Sequence, residues 1–272
     1  MIKIGMREVK IEKFPDGTPR ISIDFNPAYF FGVESITWMY ESNEELMYLI
    51  MIKRWFDENF RICLDLHMSY IPNGRMDRTK NASEVFTLKY FCEVINNLNF
   101  NSVSVLDAHS DVSTALLNNC VKESPERFIQ DAMDEIGSDD LVIYFPDAGG
   151  VKRYADLFPN TPFCYGEKRR DWKTGKILGL DVRTNGIDLA GKDILMVDDI
   201  CSYGGSFYYS ALALKELGVG RVYAYATHTE NSVLDKEKGT LIKLLENNTV
   251  EKLFTTNSLF RGNHEKIKVM EV

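Results

Sequence analysis

Short apolar runs alternate with amphipathic segments along the chain, and this alternation most constrains the fold. Short apolar runs between turn signals indicate buried strands, whereas apolar residues at a spacing of three or four indicate helices. The predicted strands are 35–39, 61–66, 103–106, 141–145, 194–197, 221–226 and 250–255, and the predicted helices are 44–56, 83–96, 125–136, 151–157 and 205–217. This order predicts an α/β protein with mostly parallel sheets. Two similar halves are expected, a domain 1–118 and a domain 119–272.

Composition excludes several other classes of protein. The formal net charge of -8 argues against a protein whose main partner is nucleic acid. The five cysteines are scattered and form no C-x-x-C pair, so neither a zinc site nor a disulfide framework is indicated. The N-terminal residues lack the apolar run of a signal peptide, and no apolar run reaches the roughly 18 residues of a membrane span. A cytoplasmic protein without a membrane partner is therefore expected.

The segment 197–206 (VDDICSYGGS) carries the strongest chemical signal. An apolar strand is expected to end at Asp198 and Asp199, and a turn of small residues then opens a helix. The N-terminus of a helix offers free N–H groups to an anion, and glycine lets the backbone approach it closely. The paired carboxylates can accept hydrogen bonds from vicinal sugar hydroxyls. A strand-to-helix turn capped by Ser202 or Ser206 is the structural alternative, which the acid pair disfavours. The segment resembles the ribose-phosphate-binding signature shared by phosphoribosyltransferases and phosphoribosyl diphosphate synthetases.

Five further segments distinguish these two groups of enzymes. In chain order they are 13–18 (KFPDGT), 75–78 (RMDR), 107–109 (DAH), 146–150 (PDAGG) and 167–170 (EKRR). They resemble the adenine-binding loop, the ATP-phosphate loop, the two metal sites and the flexible catalytic loop of the ribose-phosphate pyrophosphokinase (phosphoribosyl diphosphate synthetase) family. The likeness extends from about residue 9 to residue 257. It implies two phosphoribosyltransferase-like domains of type I.

The resemblance also implies a role for each segment. The resemblance assigns ATP binding to Phe14, Asp16, Thr18, Arg75, Met76, Asp77, Arg78 and His109. It assigns ribose-phosphate binding to Asp198, Asp199, Ser202, Tyr203, Gly204, Gly205 and Ser206. His109 and Asp147, at the ends of strands expected to be neighbours, would hold Mg²⁺, which prefers oxygen ligands and keeps several waters. Lys168 and Arg170 would stabilise the transferred diphosphate. The structural alternatives are a satisfied strand-end histidine and, for the charged stretch 167–176, a solvated surface loop.

The implied reaction is attack of the anomeric hydroxyl of a ribose 5-phosphate unit on the β-phosphorus of ATP, with AMP as the leaving group. The phosphate loop departs from the family pattern, because Ser202 and Tyr203 stand where an acid and a threonine are typical. Thr18 and Met76 likewise replace a glutamate and a glutamine. The acceptor is therefore expected to be either ribose 5-phosphate or ADP-ribose.

Two other functions stay open at this stage. One is a phosphoribosyltransferase that uses phosphoribosyl diphosphate, and the other is a catalytically silent subunit associated with a synthetase. The expected partners are ATP and a small molecule that contains ribose 5-phosphate. In the family the adenine loop serves the site of a neighbouring subunit, which implies a homodimer or a higher homo-oligomer.

Overall fold

The computed structural model describes the backbone of residues 1–23, 33–60, 62–170 and 177–272, and the side chains of these residues except 33, 168–170 and 177–179. Within this part, the chain divides into two compact units, Met1–Ser124 and Pro125–Val272. The sequence-based boundary between 118 and 119 falls earlier, before a short strand that belongs to the first unit.

The first unit is built around a mixed sheet with a mostly parallel centre. Its elements are β1 (Ile2–Ile4), β2 (Arg7–Glu8), β3 (Lys10–Lys13), β4 (Pro19–Ser22), β5 (Val33–Trp38), α1 (Glu45–Asn59), β6 (Cys63–Met68), α2 (Thr87–Asn96), β7 (Val103–Leu106), α3 (Asp111–Leu116) and β8 (Cys120–Glu123). In the described part of this unit, the sheet order is β2-β1-β5-β6-β7-β8. The strands from β5 to β8 pair in parallel, whereas β1 pairs antiparallel with both neighbours. Strands β3 and β4 form a separate hairpin.

Helix α2 shows how the apolar pattern produces the core of this unit. Its buried residues are Leu88, Phe91, Cys92 and Ile95, which recur at helical spacing and pack into the core beside the sheet. The sequence analysis began this helix at residue 83. The structure begins it at Thr87, so Val85 precedes the helix and its side chain is 60% exposed.

The second unit contains a sheet that is parallel except at one hairpin. Its elements are α4 (Glu126–Ile136), β9 (Leu141–Phe145), α5 (Ala148–Tyr154), β10 (Phe163–Arg170), β11 (Ile177–Arg183), β12 (Asp193–Cys201), α6 (Gly205–Glu216), β13 (Val222–Thr229), α7 (Leu241–Glu246), β14 (Leu253–Thr256) and β15 (Ile267–Met270). Among the described residues the sheet order is β11-β10-β9-β12-β13-β14-β15. Strands β9 and β13 are buried along their whole length, as expected for central strands covered on both faces. The predicted α/β fold with mostly parallel sheets is confirmed.

The strand order reverses between β9 and β12 in this second sheet. From β9 the chain moves outward to β10, whereas from β12 it moves in the opposite direction to β13 and β14. A parallel sheet opens a crevice at such a switch point, outside the carboxyl ends of its strands. Residues that follow β9 and those near the end of β12 are therefore placed where a ligand can enter between them.

The structure corrects the predicted end of β12. The sequence analysis ended this strand at residue 197, but β12 continues to Cys201 and pairs with β13 as far as Cys201 and Thr229. Asp198 and Asp199 therefore lie within a strand, where neighbouring side chains point to opposite faces of the sheet. The strand continues because its partner β13 extends equally far and supplies the hydrogen bonds.

Candidate active site

The acid pair on β12 is asymmetric. The Asp199 carboxylate is buried, and its Oδ2 lies 2.8 Å from Nη1 of Arg153 on α5. The Asp198 Oδ1 accepts a hydrogen bond of 3.0 Å from the amide of Asp199. Burial and the adjacent Asp199 charge raise the pKa of Asp198 well above its usual range. One acid is thus held charged by a guanidinium, while the other takes up a proton more readily.

The turn from β12 to α6 requires glycine at position 204. Gly204 has φ of 86°, in the left-handed region, and a Cβ there would lie 2.3 Å from the Cβ of Leu241. The segment before α7 supports the turn, because the Tyr203 carbonyl accepts hydrogen bonds from Thr240 N at 2.8 Å and Thr240 Oγ1 at 2.9 Å. Gly205 begins α6, and Ser206 is exposed in its first turn. Anion binding at this helix start stays a prediction from the sequence.

Ser202 and Tyr203 take different positions in this turn. The Ser202 hydroxyl donates a hydrogen bond to Oε2 of Glu230, which follows β13 directly. The Tyr203 side chain is 40% exposed, so its ring is available to a bound molecule. Glu230 was not identified from the sequence, since its neighbours 229–234 match no motif and its contact with Ser202 spans 28 residues.

Asp147 follows β9 and caps the N-terminus of α5. Its Oδ1 accepts hydrogen bonds from the amides of Gly149 at 2.9 Å and Gly150 at 3.2 Å. A Cβ at Gly149 would approach this same oxygen to 3.0 Å, and one at Gly150 would approach the Cβ of Phe145 to 3.1 Å. The small residues of the PDAGG segment thus allow the cap and the close packing of α5. Asp147 remains exposed at the switch point.

The proposed catalytic residues Lys168 and Arg170 lie on β10, beside β9 in the sheet. Their side chains are outside the described part of the structure. The backbone pairs Lys168 with Leu180 and Arg170 with Ile177, with a register shift between Arg169 and Arg170. The sequence analysis treated 167–176 as one charged loop, but pairing with β11 extends the strand through Arg170. Residues 171–176 lie outside the described residues.

An exposed ion pair joins the two strands of this β10–β11 hairpin. Oε2 of Glu167 lies 2.7 Å from Nε and 2.5 Å from Nη2 of Arg183. The hydrogen bond to Glu167 raises the pKa of Arg183. Because both side chains are exposed, the pair contributes little to stability.

The predicted adenine loop is the turn between β3 and β4. The Asp16 carboxylate accepts hydrogen bonds from Thr18 Oγ1 at 2.6 Å and Thr18 N at 3.0 Å, and the Thr18 hydroxyl lowers the pKa of Asp16. These bonds give Asp16 and Thr18 a structural role in the turn. Phe14 is 52% exposed and presents its ring to solvent. Of the three predicted adenine contacts, Phe14 is thus the one with an open apolar surface.

The predicted ATP-phosphate loop and His109 meet at one edge of the first sheet. Residues 75–78 follow β6, and His109 follows the neighbouring parallel strand β7. A Cβ at Gly74 would lie 3.9 Å from the Cβ of His109, so His109 is close to the residue that precedes the loop. Arg75 and Arg78 are exposed, Met76 and Asp77 are half-buried, and Arg78 Nε lies 3.9 Å from Asp77 Oδ1.

Asp107 directs the chain from β7 toward His109. It is buried and has φ of 41°, a left-handed conformation that is uncommon outside glycine. Such backbone strain persists where the surrounding structure enforces it, commonly at functional sites. Here the Asp107 amide donates a hydrogen bond of 3.0 Å to the Glu123 carbonyl on β8.

His109 and Asp147 do not end neighbouring strands as the sequence analysis expected. His109 follows β7 in the first sheet, whereas Asp147 follows β9 in the second sheet. Among the described residues, no group of three or more histidine, cysteine, aspartate or glutamate side chains is arranged to hold a metal ion. In the same part of the chain, no helix is long and apolar enough to cross a membrane.

Sequence comparison finds curated relatives that share one name. No family model matches the sequence. The ribose-phosphate pyrophosphokinase of Corynebacterium ammoniagenes is 25% identical over 281 aligned residues, which cover 100% of this chain and 84% of that protein. The enzyme of the same name from Thermococcus kodakarensis is 27% identical over 225 residues, covering 81% of this chain and 77% of that protein. The crystal structure of phosphoribosylpyrophosphate synthetase from Mycobacterium smegmatis superimposes with a TM-score of 0.73 at 18% identity, covering 97% of this chain and 86% of that one.

The chain shares its fold with a phosphoribosylpyrophosphate synthetase and its sequence with transferases named ribose-phosphate pyrophosphokinase. The acid pair and the glycine turn lie near the carboxyl end of β12 in the second sheet. At 25% to 27% identity, the chain is a divergent homologue of proteins named ribose-phosphate pyrophosphokinase.

Proposed function

We propose that the chain is a Mg²⁺-dependent diphosphokinase that transfers the β,γ-diphosphate of ATP to the anomeric C1 hydroxyl of a ribose 5-phosphate moiety and releases AMP. One observation carries the proposal. The adjacent strands β10, β9 and β12 bring Lys168, Asp147 and the acid pair with its glycine turn to one edge of one sheet. Diphosphate transfer to ribose requires a cation, a hard oxygen ligand for the metal ion and a segment that binds the sugar phosphate.

The β12 acids are assigned to the sugar. The Asp199 carboxylate, held by Arg153, accepts hydrogen bonds from a ribose hydroxyl. Asp198, whose pKa is raised by burial and by Asp199, can share its proton with the neighbouring hydroxyl. The amides at the start of α6 receive the 5'-phosphate oxygens. These contacts fix the anomeric oxygen for attack, and such positioning supplies much of the rate in phosphoryl transfer.

The chemical step exchanges one bond to phosphorus for another. The anomeric oxygen forms a bond to the β-phosphorus, the bond from that phosphorus to the bridging α,β-oxygen breaks, and AMP leaves with that oxygen. The hydroxyl proton passes to solvent. Lys168 and Arg170 are assigned to stabilise the negative charge that develops on the diphosphate and the leaving oxygen.

Residues of this chain suit a magnesium ion that is bound largely through substrate. Mg²⁺ keeps several waters and takes one or two protein ligands together with nucleotide phosphates, so a three-residue cluster is unnecessary. Asp147 offers an exposed carboxylate whose orientation is set by the amides of Gly149 and Gly150. His109 lies near Gly74, which precedes the predicted ATP-phosphate loop. Asp147 and His109 are each assigned to a metal site of their own unit, where a bound ion would neutralise charge on the ATP phosphates.

The acceptor is proposed to be ribose 5-phosphate or ADP-ribose, with the phosphate loop deciding between them. The loop keeps the glycines whose backbone N–H groups can bind a phosphate, but Ser202 and Tyr203 replace an acid and a threonine of the family pattern. Tyr203 is exposed within this loop, and an aromatic face suits an attached nucleotide. Because the loop keeps its glycines and adds an aromatic surface, we favour ADP-ribose as the acceptor.

The remaining proposals concern the setting of the reaction. The relatives' names give a ribose phosphate as the acceptor and pyrophosphate transfer as the reaction. For this chain we propose ATP and a small molecule that contains ribose 5-phosphate as the substrates. A homodimer or higher homo-oligomer in the cytoplasm is proposed from the family resemblance.

The decisive experiment is AMP formation from ATP with ribose 5-phosphate and ADP-ribose in parallel, with products resolved by mass. We expect Mg²⁺-dependent AMP release and a sugar that gains one diphosphate. AMP release with ribose 5-phosphate at a kcat/KM more than about tenfold higher would rule out ADP-ribose as the acceptor. No AMP with either sugar, but consumption of phosphoribosyl diphosphate with a base, would indicate a phosphoribosyltransferase instead. No reaction in either assay would indicate a silent subunit.

A further inference from the structure

Three donors hold the Tyr203 carbonyl on one side of the phosphate loop, residues 202–206. Thr240 donates to it twice, through its amide at 2.8 Å and through Oγ1 at 2.9 Å. The Leu241 amide adds a longer hydrogen bond of 3.3 Å. A carbonyl oxygen has two lone pairs, so these donors occupy it fully as an acceptor. The Tyr203 carbonyl is therefore directed toward the start of α7.

The orientation of this carbonyl also sets the orientation of the next amide. The bond between Tyr203 and Gly204 is trans, and in a planar trans peptide the C=O and N–H groups point in opposite directions. The Gly204 N–H is therefore directed to the side of the loop that lies away from α7. Gly204 is buried, and within the described part of the chain its amide donates no hydrogen bond. Because buried amides are nearly always paired, the expected partner of this N–H is an acceptor on a bound molecule.

Glycine at position 204 makes a fixed carbonyl necessary. The loop needs glycine there, because φ is 86° and a Cβ would lie 2.3 Å from the Cβ of Leu241. Glycine also adopts positive and negative φ with similar ease, so the peptide that precedes it can rotate at low cost. After such a rotation the Tyr203 carbonyl oxygen would face a bound anion, where an N–H group is needed. The two hydrogen bonds from Thr240 oppose this rotation.

We propose that Thr240 is a positioning residue for the 5'-phosphate of the sugar, which fixes the Tyr203–Gly204 peptide so that the Gly204 amide faces the phosphate. The inference rests on the proposed function, because that function assigns the 5'-phosphate to this loop. Thr240 acts through the peptide and not by contact with the substrate. The role is the same for ribose 5-phosphate and for ADP-ribose, since both carry a phosphate on the 5'-oxygen.

A graded series of substitutions at Thr240 tests this role. Thr240→Ser keeps the hydroxyl donor, and Thr240→Val removes it while keeping the shape of the side chain. Thr240→Pro removes both donors, and proline is tolerated in the first turn of a helix. The matched control is Thr249→Val, which removes a hydroxyl beyond the other end of α7.

Isothermal titration calorimetry measures binding of ribose 5-phosphate, ADP-ribose and α,β-methylene ATP to each variant. Both sugar phosphates should bind about threefold more weakly to Thr240→Val and about tenfold more weakly to Thr240→Pro, because the competent orientation of the peptide is less populated. Binding of α,β-methylene ATP should not change, since its phosphates are assigned to other segments. Thr240→Ser and Thr249→Val should bind all three ligands as wild type does.

Nuclear magnetic resonance follows the peptide itself. Tyr-Gly occurs twice in the sequence, at 165–166 and 203–204, so ¹³C-carbonyl tyrosine with ¹⁵N-glycine labels only these two peptides. Tyr165→Phe removes the first signal and identifies the second. Ribose 5-phosphate and ADP-ribose should each shift the Gly204 amide in wild type and in Thr240→Ser, and shift it less in Thr240→Val. A Gly204 amide of the wild type that responds to neither sugar phosphate would overturn the inference, whether or not the variants fold.

The calorimetric results can overturn it independently. Unchanged binding of both sugar phosphates by Thr240→Pro would do so, as would an equal weakening of α,β-methylene ATP. The same measurements separate the inference from the proposed reaction. Selective weakening without any AMP formation by the wild type would keep Thr240 as a positioning residue and remove the diphosphokinase activity. AMP formation with unchanged binding in the variants would preserve the reaction and remove the role of Thr240.

Discussion

Arg153 forms a close ion pair with Asp199, the second acid of the pair on β12, and its Nη1 lies 2.8 Å from Oδ2 of Asp199. Both side chains are largely buried, at 18% and 4% exposure. Helix α5 follows β9, and β9 neighbours β12, so the fold brings the guanidinium directly to the second acid. A buried carboxylate without this cation would lose a large part of its compensation for desolvation.

Arg153→Met is therefore expected to impair use of the sugar substrate more than use of ATP. We predict a decrease of at least tenfold in kcat/KM for the sugar, with KM for ATP changed by less than about threefold. Initial rates of AMP formation, with each substrate varied in turn, measure both values. The double variant with Asp199→Asn should lose less than the sum of the single variants, since coupled buried pairs are not additive. Strict additivity would show that the two residues act separately.

Asp147 caps helix α5 and is proposed to hold Mg²⁺, and a choice of substitutions can separate these two roles. Serine also caps helices well, so Asp147→Ser should lower the free energy of unfolding by less than about 0.5 kcal/mol. It should nevertheless raise the Mg²⁺ concentration for half-maximal activity by more than about tenfold, because the carboxylate ligand is lost. Asp147→Ala should show the same metal effect together with a loss of about 1 kcal/mol in stability. An unchanged Mg²⁺ titration in Asp147→Ser would limit Asp147 to helix capping.

Lys168 is predicted to act mainly in the transition state. Lys168→Ala should reduce kcat by about two to three orders of magnitude and change the dissociation constant of ATP by less than about threefold. Rapid-quench measurement of AMP formation and equilibrium binding of ATP test the two parts. The control is Lys192→Ala, which removes a surface lysine paired with Asp140 in the same unit and should retain turnover. Near-normal turnover in Lys168→Ala at saturating substrates would contradict the assignment.

The Asp193–Arg221 pair should make stability depend on pH at the acidic end. Asp193 Oδ2 lies 2.6 Å from Arg221 Nη2, and the guanidinium lowers the pKa of Asp193 to about 2. A carboxyl whose pKa is lower in the folded state contributes stability above its unfolded pKa, near 4, and loses it as pH falls toward 2. Asp193→Asn should therefore lower the free energy of unfolding by about 1–2 kcal/mol at pH 7, and by progressively less below pH 4.

Urea denaturation at pH 7, 5 and 3.5 measures this dependence. Asp140→Asn is a matched control, because its partner Lys192 forms an exposed pair. The control should change stability by less than about 0.5 kcal/mol at each pH. An equal loss in Asp193→Asn at all three values would contradict the titration argument.

Local signals in the sequence were sufficient for much of the fold. Strands β7 and β9 begin and end where the apolar runs do, because these runs are short and bounded by turn residues. Strands β1, β2 and β15 were missed because each is short and has no strong pattern of its own. The extension of β12 to Cys201 was missed because hydrogen bonds to the distant strand β13 maintain it.

The candidate site, too, was only partly predictable from the sequence. The acid pair, the glycine turn and the PDAGG segment were identified from sequence because each is one contiguous run of residues. Tertiary structure alone brought Arg153 to Asp199 and Glu230 to Ser202, across separations that no local pattern encodes. It also placed His109 and Asp147 in different sheets. A linear sequence specifies which groups are present, but the pairing of strands decides which of them share an electrostatic environment.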